Sequence, residues 1–358
     1  MDFMRQLDFS QVQQGLLMVW IAVAGPVIVA AIPIKALDPL RRFWWPLFRR
    51  GKLLQSPDTA GRGLLKLTVP QSFFTHFYIV GLTLNTILFL TSFAFACKCS
   101  SGVKNQFSSV VAQLTGAGAH HTLFAGDTVP VLGKFGREAW KLAFLLLLME
   151  IHLTRRLYEC LFVSSFDPSA RMSAIGYLIA LGFYIVVPIT LFLQSFTQES
   201  YTNAFKLFAA QKLKQKGEEI LESANEAPDV LNLISYLGHI GFGSYIGAGL
   251  MFFGAYHQNV CHEILAALRA NDEPGSSKKY YIPTGDWFEL VSCPHYLAEI
   301  VIYSGLVVAS GGTHLVMYIM LALVVANLYL LAKPTHEWYL AKFDDYPSSR
   351  RAMIPYIA

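Results

Sequence analysis

The chain has 358 residues, 54% of them hydrophobic and only 15% charged, with a formal net charge of +4. So small and scattered a charge, with no basic stripe, excludes a nucleic-acid binder, and the positive mean hydropathy points to an integral membrane protein rather than a soluble two-domain one. Five irregularly spaced cysteines, Cys97, Cys99, Cys160, Cys261 and Cys293, argue against a disulfide framework.

In chain order, seven segments reach the roughly 20 apolar residues needed to cross a bilayer. They run over about 13–34, 73–97, 138–163, 173–195, 232–256, 292–310 and 312–332. The expected fold is therefore all-α: a polytopic membrane protein with about seven transmembrane helices. The first run is too long for a signal-peptide core and reads as a retained anchor. Three regions follow: an anchor helix and basic loop over 1–68, helices two to five with a long luminal loop over 69–256, and a polar-rich C-terminal region over 257–358. Loop one carries Lys35, Arg41, Arg42, Arg49, Arg50, Lys52, Arg62 and Lys66. Together with loops three and five and the tail, it gives its side 18 Lys/Arg against 9 opposite. The positive-inside rule then sets the C-terminus in the cytosol.

Residues 98–137 read as a Gly/Ser/Thr-rich loop, in which His120-His121 are solvated histidines or a weak metal motif. Residues 204–224 read as an interfacial amphipathic helix. Gly241 to Gly247 mimics a dinucleotide fingerprint, but no strand precedes it. Gly243-x-x-x-Gly247 fits a close helix-packing surface. Gly311-Gly312-Thr313 predicts a tight hairpin between the sixth and seventh spans.

Ionisable groups gather at helix ends on the cytosolic side. Gln258, His262 and Arg269 share a face if the fifth helix continues past residue 256, and they suit a polar or anionic ligand as well as an ordinary membrane exit. Pro294 belongs in a first helical turn, which stacks His295 and Glu299 at i, i+4. An intramembrane carboxylate such as Glu299 needs a partner, water or a ligand; it is a functional group or one neutralised by a structural hydrogen bond. His336 and Tyr339 form an i, i+3 pair able to move a proton or orient a polar head. The third span adds Glu150, His152, Arg155, Arg156 and Glu159, with Arg155–Glu159 and His152–Arg156 as i, i+4 pairs. No zinc-ligand set and no Ser/His/Asp nucleophile arrangement is present, so no metal is expected.

The stretch Ile282-Pro283-Thr284-Gly285-Asp286-Trp287-Phe288-Glu289, then Tyr296-Leu297-Ala298-Glu299, resembles the C-terminal signature of the steroid 5-alpha-reductase family. So does the tail from Trp338-Tyr339 through Tyr346-Pro347 to Pro355-Tyr356. His257-Gln258-x-x-Cys261-His262 and Arg155-Arg156-Leu157-Tyr158-Glu159-Cys160 are most similar to the polyprenol reductase branch. The resemblance implies an endoplasmic-reticulum membrane enzyme that takes NADPH from the cytosol and reduces a carbon–carbon double bond conjugated to a carbonyl. It implies a polyisoprenoid lipid substrate in dolichol synthesis, which supports protein N-glycosylation. It also implies that Gln258, His262, Arg269, Tyr280, His295, Glu299 and Tyr339, with Arg156, line the cofactor, and that His336 and Tyr339 are critical for activity. The acid and phenol that hold the ketone in the steroid enzymes are replaced here by Lys66-Leu67-Thr68 and His152-Leu153, which turns the reading away from a steroid.

Hydride attack on an alkene needs an electron sink. A conjugated aldehyde provides one and an allylic alcohol does not, so polyprenal is the expected species, with direct action on polyprenol as the alternative. Steroid or enoyl-CoA reduction within the same family remains a second reading, and a non-enzymatic receptor or transporter a third; NADPH binding separates the third from the others.

Overall fold

A computed structural model describes residues 9–39, 42, 67–114, 129–164, 166, 168–194, 240–270 and 280–357, with backbone alone over 98–114 and 129–135. His120-His121, the segment 204–224 and most of the basic first loop lie outside the described residues. Among the described residues the long elements are α1 (Phe9–Ala31), α2 (Phe74–Leu114), α3 (Val129–Tyr158), α4 (Ala174–Gln194), α5 (Phe242–Ala270), α6 (Pro294–Ala309) and α7 (Leu315–Lys342).

Seven helices thus match the seven expected segments, but only α1, the first part of α2, α4 and α7 are long and apolar enough to cross a membrane by length and composition. α6 has 16 residues, about 24 Å at 1.5 Å per residue, short of a hydrocarbon core of about 30 Å. α3 and α5 have the length, yet they carry the charges described below. The expected loop over 98–137 is largely helical: α2 runs on to Leu114 and α3 starts at Val129, because Ser and Thr weaken a helix without ending it.

Two strands escaped the sequence reading. β1 (Thr68–Pro70) pairs antiparallel with β2 (Arg171–Ser173), joining the entrance of α2 to that of α4. Three-residue strands show too little periodicity to be seen in sequence.

Packing follows residue size. A Cβ on Gly247 would stand 2.3 Å from the backbone nitrogen of Ala309, one on Gly254 2.8 Å from the Ala298 carbonyl oxygen, and one on Gly305 2.6 Å from the Gly247 carbonyl oxygen. Glycine is required at these positions because α5 and α6 touch backbone to backbone. The expected pairing of Gly243 with Gly247 is corrected: Gly243 faces open space, and the partner on the α5 seam is Gly254. The tight α6–α7 hairpin is present, its turn using positive φ at Gly311 (97°) and Gly312 (66°). α1 is tied to α4 where Trp20 Nε1 donates to Thr190 Oγ1 at 2.8 Å. Among the described residues, Cys97, Cys160, Cys261 and Cys293 form no disulfide.

Candidate active site

The end of α3 is the charged centre of the fold. At Glu159 the helix widens into a π-turn, Glu159–Val163, a local geometry often found at functional sites. It leaves Glu159 fully buried beside the guanidinium groups of both Arg155 and Arg156, so the expected Arg155–Glu159 pair forms. Both helices then contribute. Arg155 Nη2 donates to Gln258 Oε1 at 2.6 Å. His262 Nδ1 lies 2.8 Å from Glu159 Oε2 and 2.9 Å from Arg156 Nη1. A single ring nitrogen cannot serve both partners at once, but either choice leaves the three side chains as one unit.

α5 continues through residue 257 to Ala270, as the Gln258–His262–Arg269 face requires. From it Gln258 Nε2 donates to Glu299 Oε2 at 2.5 Å and to the His295 carbonyl oxygen at 3.1 Å. Pro294 occupies the first turn of α6, so His295 and Glu299 stack as expected. His152 does not pair with Arg156. Its Nε2 lies 3.7 Å from Glu299 Oε1, and its Nδ1 lies 3.4 Å from Arg155 Nη2. Glu150 points away to α2, accepting from Asn85 Nδ2 at 2.7 Å and Thr86 Oγ1 at 2.6 Å. A buried ion without a counter-charge carries a desolvation penalty of several kcal/mol. Two arginines against Glu159 and Glu299 offset one another, which explains why they are found together.

These groups form one end of a cavity of about 380 Å³. Arg156, Gln258, His262, His295 and Glu299 line it, and Val23, Val27, Ile179, Phe183, Leu323 and Leu328 make its apolar body. The volume falls within the roughly 300–1,000 Å³ of small-molecule sites. Five of the cofactor residues implied by family resemblance thus come together. The sequence reading missed three tyrosines on the same wall: Tyr78 (α2), Tyr184 (α4) and Tyr303 (α6). Tyr78 accepts from Arg156 Nη2 at 2.9 Å, and its ring meets that of Tyr184 at 5.2 Å. An isolated tyrosine within an apolar run is the only sequence signal for such a residue, and it does not say where the hydroxyl points. These phenols come from elements other than the two positions compared with the steroid enzymes.

His336, Tyr339, Tyr280 and Arg269 occupy a second cluster, outside the cavity lining. His336 Nδ1 lies 2.7 Å from Ser292 Oγ, which is 2.6 Å from the Tyr346 hydroxyl. Tyr339 stacks on Tyr346 at 5.2 Å and lies within electrostatic reach of Arg269. Tyr280 meets Trp338 edge-on at 4.9 Å. The tail is held by Ser292 N–H donating to the Arg351 carbonyl at 2.8 Å and Cys293 N–H to that of Ala352 at 3.0 Å. Burial pushes the Tyr346 phenol above its ordinary range.

Between the clusters, the Ile282–Glu289 signature loop is fastened at several points. Arg350 Nη1 donates to the Pro283 carbonyl at 2.8 Å, and the Gly285 N–H donates to Glu289 Oε1 at 2.7 Å. That N–H, aided by Arg350, holds the Glu289 carboxyl below the usual carboxylate range. Asp286 sits at φ 45°, a left-handed conformation that aspartate tolerates, with His257 Nδ1 at 2.8 Å from its Oδ1. The His257 ring stacks on Trp287 at 4.3 Å.

The chain is similar to known proteins along nearly all of its length. The family profile for 3-oxo-5-alpha-steroid 4-dehydrogenase matches residues 238–358, which include α5, α6, α7 and the tail. Polyprenal reductase 2 of Arabidopsis thaliana is 38% identical over 345 residues, 95% of each chain. Polyprenal reductase 1 of Oryza sativa subsp. indica is 38% identical over 365 residues, covering 96% of this chain and 97% of its own. The polyprenal reductase of Danio rerio is 27% identical over 331 residues, 90% of each. With this profile match and relatives 38% identical over nearly the full chain, the chain belongs to the steroid 5-alpha-reductase family, within its polyprenol/polyprenal reductase branch.

Proposed function

We propose that this protein is an NADPH-dependent reductase of the α-isoprene double bond of a polyprenal, acting in dolichol synthesis and so supporting protein N-glycosylation. The observation that carries the reading is the cavity: one end charged and hydrogen-bonding, the body apolar, in a chain similar to polyprenal reductases along its length. A polar head on a long hydrocarbon fits that division.

The donor set suits a nicotinamide. Arg156, which lines the cavity, keeps a buried Nε–H with no hydrogen-bond partner, available to a carbonyl or phosphate oxygen. Glu299 is an acceptor for an amide N–H. In this reading Arg156, Gln258, His262, His295 and Glu299 hold the nicotinamide end, while Arg269, Tyr280 and Tyr339 receive the rest of the dinucleotide. Bound NADPH supplies the hydride; the protein orients the head and excludes water. His336 and Tyr339 act from beyond the cavity lining, on the cofactor rather than on the lipid. Residues 257–358 form the reductase region, with 1–68 and 69–256 supplying the anchor and the remaining helices.

A seven-span arrangement in the endoplasmic reticulum, C-terminus cytosolic, belongs to the same proposal. Large hydrophobic side chains exposed on α3 (Leu147, Ile151) and α5 (Ile246, Phe253) give these charged helices a lipid-facing side.

The test incubates purified enzyme with NADPH and either polyprenal or polyprenol. Turnover of the aldehyde is expected. Turnover of the alcohol alone refutes the aldehyde assignment, and absence of NADPH binding removes the reductase. Full turnover by His336→Ala removes that residue from the mechanism.

A further inference from the structure

Tyr303 is 2% exposed, lines the cavity, and its hydroxyl makes no hydrogen bond. A buried hydroxyl without a partner is a cost the fold avoids where nothing requires it, since phenylalanine would fill the same space. Nearby, Arg156 is held by Glu159 and Tyr78 and Gln258 by Arg155 and Glu299, while Arg156 Nε and His152 Nε2 are likewise buried without a hydrogen-bond partner. Tyr303 lies one turn along α6 from Glu299, within electrostatic reach of Tyr78 and Tyr184, and is flanked by Phe183 at 5.9 Å and His152 at 6.1 Å between ring centroids. It therefore stands where the charged end of the cavity gives way to the apolar body, which is where the oxygen of a lipid head would lie.

We propose that Tyr303 recognises the substrate oxygen, its hydroxyl donating a hydrogen bond to the carbonyl of an α,β-unsaturated aldehyde. This rests on the proposed reaction. When a hydride from the reduced nicotinamide bonds to the β carbon, the alkene electron pair moves between the α and carbonyl carbons, and the carbonyl π pair moves onto oxygen. The hydrogen bond to that oxygen strengthens as its negative charge grows. After the hydride step, a proton supplied ultimately by solvent bonds to the α carbon and the C=O is restored, so the balance is enal, hydride and proton in, saturated aldehyde and oxidised nicotinamide out. A donor that strengthens in the transition state affects kcat more than KM.

The experiment compares full-length wild type with Tyr303→Phe. Expected are an unchanged or raised melting temperature, unchanged NADPH affinity, and a fall in kcat for polyprenal of about 10²-fold, the scale of an oxyanion donor. Inhibition by an oxygen-free polyisoprene stays equal in both proteins, whereas inhibition by the saturated aldehyde weakens in the variant. Turnover within about twofold of wild type overturns the role of Tyr303 and leaves the proposed reaction standing; wild type that fails to reduce polyprenal overturns both. A measurement on wild type alone covers a variant that does not fold. The C=O stretch of bound, carbonyl-labelled polyprenal shifts to lower frequency than in lipid vesicles, and an unshifted band overturns the assignment.

Discussion

The two polar clusters are built on opposite principles. The cluster at the end of α3 is ionic and buried: Glu159 is shared by Arg155 and Arg156, and Gln258 links Arg155 to Glu299. The cluster around the tail is centred on neutral hydrogen bonds, with Ser292 between His336 and Tyr346, stacked aromatic rings around them, and Arg269 and Arg350 beside the tyrosines. Ions in a low-dielectric interior need their counter-charges, so each member of the first cluster is hard to remove alone. Neutral hydrogen bonds exchange more readily with water, so the second tolerates loss. The ionic cluster lies at the cavity and the neutral one beyond its lining, which separates a fixed, preorganised end from an adaptable one.

Substitutions test that contrast. Glu159→Ala leaves two buried guanidinium groups without their carboxylate and is expected to cost about 3–5 kcal/mol, read as a loss in denaturant midpoint. Restoring much of that stability by adding Arg155→Leu and Arg156→Leu supports ionic pairing; a Glu159→Ala protein as stable as wild type removes it. Next in size, Gly254→Val forces side-chain atoms against the Ala298 carbonyl on α6, and overpacking of this kind costs about 1–3 kcal/mol. Gly243→Val faces open space and is expected to leave the melting temperature in place, apart from helix propensity. Ser292→Ala in the neutral cluster is expected to cost about 1 kcal/mol. A loss as large as that of Glu159→Ala would erase the distinction.

The smallest effect is a pH dependence. The Glu289 carboxyl is held low, chiefly by the Gly285 N–H and further by Arg350, so its contribution is fully present above the ordinary carboxylate range and is lost as pH falls through its lowered value. The protection factor of the amides across 285–288, taken against intrinsic exchange at each pH, is therefore expected to fall on acidification in wild type and to lose that dependence in Glu289→Gln. Equal acid sensitivity in both assigns the effect elsewhere.

Helix existence was legible because apolar runs have length, and α6 was legible from Pro294 and the Gly311-Gly312 turn. The stacking of His295 on Glu299 and of Gln258 on His262 followed from helical spacing. Membership of the family was legible in the 282–299 and 338–356 motifs. The extent of α2 was not, because a Ser/Thr-rich continuation carries no stop signal. Nor were β1 and β2, whose pairing joins residues about a hundred positions apart.

By itself, the sequence determined the helical repeat, the hydrophobic lengths and the residues that share a helix face, since these depend on neighbours three and four positions away. Only the tertiary structure decided that Glu159 serves two arginines and reaches His262, and that His152 turns to Glu299 instead of Arg156. It also decided that His336 joins the tail while Tyr78, Tyr184 and Tyr303 meet the charged end of the cavity. The reason is physical: which buried charge finds which partner depends on helix rotation and separation, and those are set by glycine contacts such as Gly247 on Gly305 between distant segments.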